Sequence, residues 1–232
     1  DTVLAKEAGL ELGIKESIVV NDRMETSVPD IYAAGDAVQV KHYVTGNDAL
    51  ISLAGPANKQ GRIIADNICG GDSRYLGSQG SSVIKVFDMT AATTGINETN
   101  AKKSGLEVDT VILSPMSHAG YYPGGKVMTM KVVFEKESYR LLGAQIIGYE
   151  GVDKRIDVLA TAIHAGLNAT QLKDLDLAYA PPYSSAKDPV NMAGFMIDNI
   201  AKGTLKQWHL EDMDKISKDK DVVLIDVRTV CE

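Results

Sequence analysis

The sequence is poor in sulfur chemistry. Its 232 residues hold two cysteines, Cys69 and Cys231, far apart in the chain, with no Cys-x-x-Cys pair. That excludes a disulfide framework and a thiolate metal site, so no metal is expected, and it suits a reducing, cytoplasmic setting. No Gly-x-Gly-x-x-Gly follows a candidate strand, so the phosphate-binding turn of a dinucleotide fold is missing. No run approaches the ~18 apolar residues that a membrane span needs, and no signal-peptide pattern opens the chain. Positive charge is not in excess: 24 Lys and Arg face 31 Asp and Glu, for a net charge of −7. A general nucleic-acid footprint is excluded on that count. Low-complexity tracts and internal repeats are absent.

What is present reads as a globular α/β chain, 44% hydrophobic and 24% charged. Three stretches differ in pattern. Residues 1–77 alternate short strand candidates, Ser17–Val20 and Ile31–Ala34, with a helix over Leu53–Ile68 closed by Gly70-Gly71. Residues 78–204 read as strands over Val83–Phe87, Thr90–Gly95, Val108–Leu113, Val127–Phe134 and Leu141–Ile147, then as helices over Val152–Ala165 and Val190–Ala201. Met128-Thr129-Met130-Lys131-Val132 alternates as a half-buried antiparallel strand does. The first helix places Val152, Ile156, Leu159, Ala160 and Ile163 on one face, and the second Met192, Phe195, Met196 and Ile200. Residues 205–232 are charged and end in a strand candidate, Val222–Ile225, followed by Asp226-Val227-Arg228.

Four strings invite a chemical reading. In Thr26–Ala37 an apolar run ends in Gly35-Asp36, which puts a carboxylate at the ligand-binding edge of an open sheet, or else forms an ordinary turn. Tyr179-Ala180-Pro181-Pro182-Tyr183 begins a rigid loop that leads to Asp188-Pro189, an N-cap and first helical position. His118-Ala119-Gly120-Tyr121-Tyr122-Pro123 is a second tyrosine loop, readable as a surface turn or as a source of phenols. Tyr149–Asp157 opens a helix with a basic pair, Lys154-Arg155, readable as a solvated first turn or as a contact for an anion, while His164 near the apolar face reads as packed.

These strings, with Asp1–Ala5, Gly9-Leu10 and Leu53–Arg62, resemble the flavoprotein pyridine nucleotide-disulfide oxidoreductases. They are most similar to the CoA-disulfide reductase and NADH oxidase/peroxidase branch. The resemblance implies a partial FAD-binding Rossmann-type segment (1–77), an α+β dimerisation domain of antiparallel sheet plus helices (78–204), and the start of a rhodanese-like domain (205–232), the last carried by Trp208-His209-Leu210 and Val223–Arg228. It implies that Asp36 binds the ribityl chain of FAD, with Gly35, Leu53, Ala54 and Pro182 beside the flavin. It also implies that Tyr121 and Tyr179, with Tyr122 and Tyr183 in reserve, serve a partner subunit's redox cysteine, and that Lys187 meets substrate. The His–Glu dyad of glutathione-type reductases has no counterpart here. The implied enzyme is a cytoplasmic homodimer that uses FAD and NAD(P)H to reduce CoA disulfide, CoA persulfide or polysulfide, with an NADH oxidase or peroxidase as the alternative. It touches neither nucleic acid nor membrane. The missing phosphate turns further imply that these residues bind little or no FAD by themselves and act alone only as an inactive assembly module. A start without methionine and an apolar strand candidate close to the end suggest a piece of a longer enzyme, and strands short of partners leave residues 1–77 loosely held in expectation.

Overall fold

The first third of the chain is broken up by its own turn formers. The structure is a computed structural model that describes residues 2–225. Lys15, Glu16, Met24 and Asp30 all sit at positive φ, and Pro29 and Gly35 interrupt the apolar runs. Regular elements are accordingly few: Val3–Glu7 (α1), the two-residue strands Val40–Lys41 (β1) and Asp48–Ala49 (β2), which pair antiparallel, and the helix Ala54–Ile68 (α2). The strand expected at Ser17–Val20 reduces to bridges from Ile18 to Leu12 and Val38, and the one expected at Ile31–Ala34 to a single bridge between Glu25 and Tyr32. Ile31 is exposed rather than buried, because turn residues on both sides leave no neighbour to extend a ladder. Met24, Val38 and Val40 form a small core, covered by Ile63 and Ile64 of α2, while Ile68 faces solvent.

The middle of the chain behaves otherwise. Ser82–Val86 (β3), Met89–Gly95 (β4), Val108–Leu113 (β5), Met128–Glu135 (β6) and Leu141–Gly148 (β7) form one antiparallel sheet in the order β3-β4-β7-β6-β5. Between β4 and β5 lies a short helix, Glu98–Lys103 (α3), which the sequence reading omits; Asn97 caps it by accepting from the Asn100 amide. The helices Val152–His164 (α4) and Pro189–Ala201 (α5) complete this region. Met128, Met130, Val132, Ala144 and Ile146 point to the buried face and meet Val152, Ile156 and Leu159 of α4 in one cluster. The other face carries the cross-strand row Ile84–Ala91–Ile147–Thr129, in which Ile84 and Ile147 are exposed.

Two helical faces differ from expectation. In α5 the buried apolar side chains are Pro189, Val190, Ala193 and Ile197; of the expected face Met196 and Ile200 pack half-buried against the core, whereas Phe195 is exposed and Met192 half-buried. The helix rolls because Gly194 lies close against the Leu172 and Lys173 backbone, where a Cβ would come within 2.2 Å of an amide nitrogen. In α4, Arg155 shares the buried face, at spacings of three and four from Val152 and Leu159.

Past α5 the chain runs back beside β5. Gln207 Nε2 donates to the Thr110 carbonyl at 3.1 Å, and His209 Nε2 lies 2.8 Å from Asp109 Oδ1. A short helix, Met213–Ile216 (α6), follows. Val222–Ile225 form no strand and are exposed, so that expectation is corrected within its described part. Asp226-Val227-Arg228 and Cys231 lie outside the described residues.

Candidate functional site

Two loops meet at the end of the sheet where α4 and α5 begin. One, residues 114–127, joins β5 to β6, and the other, residues 178–188, precedes α5. Beyond a bridge between Met116 and Val127 at the base of the first loop, their prolines and glycines keep them out of the sheet. They are joined by one direct backbone bond, from the Ala119 amide to the Ser184 carbonyl at 3.0 Å. Each carries a phenol to the same point: the Tyr121 and Tyr179 hydroxyls are 2.7 Å apart. Both rings are open to solvent, Tyr121 at 76% exposure and Tyr179 at 44%. The hydrogen bond with Tyr121, with burial second, raises the Tyr179 pKa above the ordinary phenol value, so Tyr179 holds its proton at neutral pH.

The other two candidate tyrosines are placed differently. The Tyr122 ring meets the buried His118 ring edge-on at 5.6 Å, so it packs its own loop. Tyr183 points its ring outward, and its carbonyl accepts from Arg155 at 3.3 Å. Lys187 Nζ sits 5.2 Å from the centroid of the Phe195 ring, and Pro182 is exposed.

Beneath the loops lies a group that the motifs did not announce. Arg155 is 1% exposed, and its guanidinium serves three parts of the chain. It donates to Asp188 Oδ2 from Nε at 3.2 Å and from Nη2 at 3.0 Å, and to Ser184 Oγ at 3.1 Å. It reaches the Ser117 carbonyl at 2.9 Å in the other loop and the Gly151 carbonyl at 3.2 Å in its own helix. Asp188 also accepts from Ser184 Oγ at 2.6 Å and caps α5 through the Val190 amide at 3.0 Å. Each nitrogen of the buried guanidinium thus finds an acceptor. The expectation that Lys154 and Arg155 together meet an outside anion is corrected: Arg155 is spent inside, and Lys154 leans on the Ala178 carbonyl at 3.4 Å. His164, expected to be packed, is exposed and stacks on Tyr43 with centroids 5.1 Å apart.

The second candidate area lies in the first region. Gly35 has φ +85°, a backbone suited to glycine, and its amide donates to the buried Gln60 Oε1 at 2.7 Å. That bond ties the turn to α2 and aims Asp36 outward. Among the described residues no hydrogen bond or ion pair engages the Asp36 carboxylate. It borders an open cleft of about 390 Å³ with Thr2, Lys6, Lys15 and Glu16. Leu53 and Ala54 begin α2 and do not line that cleft, nor do Pro182 and Lys187.

Comparison with known proteins shows which family these regions belong to. The family model for the pyridine nucleotide-disulphide oxidoreductase dimerisation domain matches residues 81–189, and the model for pyridine nucleotide-disulphide oxidoreductase matches residues 1–61. The chain belongs to the pyridine nucleotide-disulphide oxidoreductase family. Both tyrosine loops and the Arg155–Asp188 pair fall in the first match, and Gly35, Asp36, Leu53 and Ala54 in the second. Members of the family are FAD- and NAD(P)H-dependent oxidoreductases. A CoA-dependent NAD(P)H sulfur oxidoreductase of Pyrococcus abyssi is 38% identical over 187 residues, 81% of this chain and 42% of the relative. A coenzyme A disulfide reductase of Staphylococcus aureus is 36% identical over 82% of this chain and 43% of its own length. The crystal structure of reduced Bacillus anthracis CoADR-RHD superimposes with a TM-score of 0.91 at 50% identity, over 94% of this chain and 39% of that one. The chain therefore spans about two-fifths of the length of the curated relatives that it matches.

Proposed function

We propose that this chain supplies the dimer interface, the flavin-side carboxylate and a partner-facing pair of phenols to an FAD-dependent NAD(P)H oxidoreductase that reduces CoA disulfide, CoA persulfide or polysulfide. The observation that carries the reading is the 2.7 Å bond between Tyr121 and Tyr179. Reduction of a disulfide releases a thiolate, which a nearby O–H stabilises. Two phenols that share one hydrogen bond leave one O–H over, and the bond that this oxygen accepts makes it a better donor. With a reference pKa near ~10, a phenol acts mainly as a hydrogen-bond donor and only late in the reaction as a proton source. Tyr122 braces the loop through His118, Tyr183 forms the rim, and Lys187 offers an ammonium to the phosphates of a coenzyme A substrate.

The residues of the first region fit the polyol part of FAD. An unpaired carboxylate at Asp36 accepts from ribityl hydroxyls, and after Leu53 the start of α2 presents only the small side chain of Ala54, with Gly55 open to approach. Pro182 is the contribution of the second loop beside the ring system. Bound FAD supplies two-electron transfer from the nicotinamide. Without a phosphate turn or a paired cysteine, the 232 residues alone form an inactive module that binds little FAD. In the full reaction the redox cysteine is neither Cys69 nor Cys231.

We divide the chain at 77/78 and 204/205, and read residues 205–232 as the start of a rhodanese-like domain on the strength of Trp208-His209-Leu210 and Val223–Arg228. The open sheet face, with Ile84 and Ile147 exposed and Phe87 at 93% exposure, suits a second copy of the chain. No helix among the described residues is long and apolar enough to cross a membrane; with two cysteines and no sign of a disulfide framework, a cytoplasmic homodimer is the proposed setting. Full-length enzyme carrying Y121F or Y179F should lose about 10²-fold or more in turnover of CoA disulfide or persulfide. Undiminished turnover in both variants, or oxygen as the best acceptor of the native enzyme, would overturn the reading. A monomer of this chain at micromolar concentration in light scattering would count against the interface.

A further inference from the structure

We propose that Arg155 is a positioning residue for the Tyr121–Tyr179 pair: its guanidinium, locked by Asp188, sets the two loops in the one register at which the phenols meet. The proposal rests on the functional reading above and deepens it.

The two loops have little else to fix them against each other. Apart from the Ala119–Ser184 backbone bond and the phenol bond itself, the hydrogen bonds that link them run through the guanidinium, which holds the Ser117 carbonyl of one loop while it holds the Tyr183 carbonyl, Ser184 Oγ and Asp188 of the other. Ser117 lies four residues from Tyr121, and Ser184 five from Tyr179, so each phenol is a short, turn-rich lever hinged on the same cation. Each loop also folds its own lever: the Tyr122 amide donates to the Ala119 carbonyl at 2.9 Å, and the Tyr183 and Ser184 amides to the Ala180 carbonyl at 2.9 and 3.2 Å. A displacement at the hinge therefore carries through to the hydroxyls.

The choice of residue agrees. A planar fork of donors spans acceptors on three chain segments, which a single ammonium cannot do. Stability alone does not ask for it, since a buried ion pair is commonly replaceable by apolar side chains of like volume. Gly151 is shaped for it as well: it sits at φ +69°, and a Cβ there would fall 2.1 Å from Arg155 Nη1. The helix start is thus open where the guanidinium passes.

The test reads the phenols directly. Tyrosine ring-carbon NMR of this chain, with signals assigned by Y121F and Y179F, follows each phenol through alkaline titration. In the native chain Tyr179 should titrate above the ordinary phenol range, and Y121F should bring it back. R155K, folded by circular dichroism and by unchanged sheet amide shifts, should bring Tyr179 down as Y121F does, and R155K with Y121F should move it no further. A folded R155K whose Tyr179 titrates as in the native chain would overturn the proposal. Should R155K fail to fold, G151A displaces the same guanidinium with the charge retained, and an unchanged Tyr179 titration there would overturn it equally. In the full-length enzyme, R155K should lower kcat for the disulfide by as much as Y179F does. If Y121F and Y179F leave turnover intact, the phenols have no part in the reaction, yet the ring titration still decides whether Arg155 places them.

Discussion

Residues 2–77 and residues 82–201 are built on opposite plans. In the second stretch every strand finds its partners within about sixty residues, and a twenty-five-residue apolar cluster, drawn almost wholly from it, joins sheet and helices. In the first, two two-residue strands and scattered bridges surround three buried apolar side chains. Hydrogen bonds that involve side chains do the joining there: Gln60 Oε1 accepts from the Gly35 amide, and Asn67 donates to the Arg23 and Ser73 carbonyls at 3.1 and 2.9 Å. The contrast teaches where each kind of function can sit. A ligand-facing carboxylate needs only a turn held from behind, whereas two phenols in register need a stiff platform.

The contrast can be broken most forcefully at Arg155. R155M leaves Asp188 buried and uncompensated beneath the platform and should cost about 3–5 kcal/mol; a denaturant midpoint equal to that of the native chain would show the pair to be dispensable. Next in size is a matched pair of truncations. Leu159→Ala, in the large cluster, should cost about 2–5 kcal/mol and lower amide protection across all of β4, β6 and β7. Val38→Ala, in the small one, should cost about 1.5 kcal/mol, from two methyl groups, and loosen only residues 12–50. Equal, global effects of the two would erase the distinction.

Smaller effects follow from titration. Glu98, between Lys102 at 2.6 Å and Lys131, has its carboxyl pulled down to about 2 by those two hydrogen bonds. A depressed carboxyl stabilises the fold above the ordinary glutamate range, and that support is lost as pH falls towards 2. Water reaches the pair, so E98Q should remove only about 1 kcal/mol near neutrality and flatten the acid limb of the stability curve. His42 works at the seam between the two stretches, bridged to Ser78. Burial lowers its pKa, against a raising bond with the Gly95 backbone. The unfolded chain takes up the proton first, so stability is full above the ordinary histidine range near ~6.5 and declines below it. H42N should abolish that decline, by the smallest margin of the four; an unchanged curve would place the pH sensitivity elsewhere.

The two plans also explain what the sequence could tell. Strands of the second stretch were legible to within a residue or two because alternation such as Met128-Thr129-Met130 records a half-buried sheet. The Asp188-Pro189 cap and the left-handed Gly70 that closes α2 were legible because each answers a local backbone need. Ile31–Ala34 misled: an apolar run signals a strand only if a neighbour pairs with it, and pairing is not local. The tyrosines were named individually from a resemblance, but their meeting across 58 residues was not readable. Arg155 was readable and was missed. A charge spaced three and four from Val152 and Leu159 stands on an apolar stripe, and such a charge announces a buried counter-ion, here Asp188.

One modest contact has a consequence for handling the molecule. β5 is one of the two edge strands of the sheet, and Gln207 occupies its Thr110 carbonyl while His209 takes Asp109. An unguarded rim invites a stranger's strand. The short tail after α5 therefore serves as a selvedge, and a truncation that ends the polypeptide at Gly203 would leave a fabric that frays into aggregates.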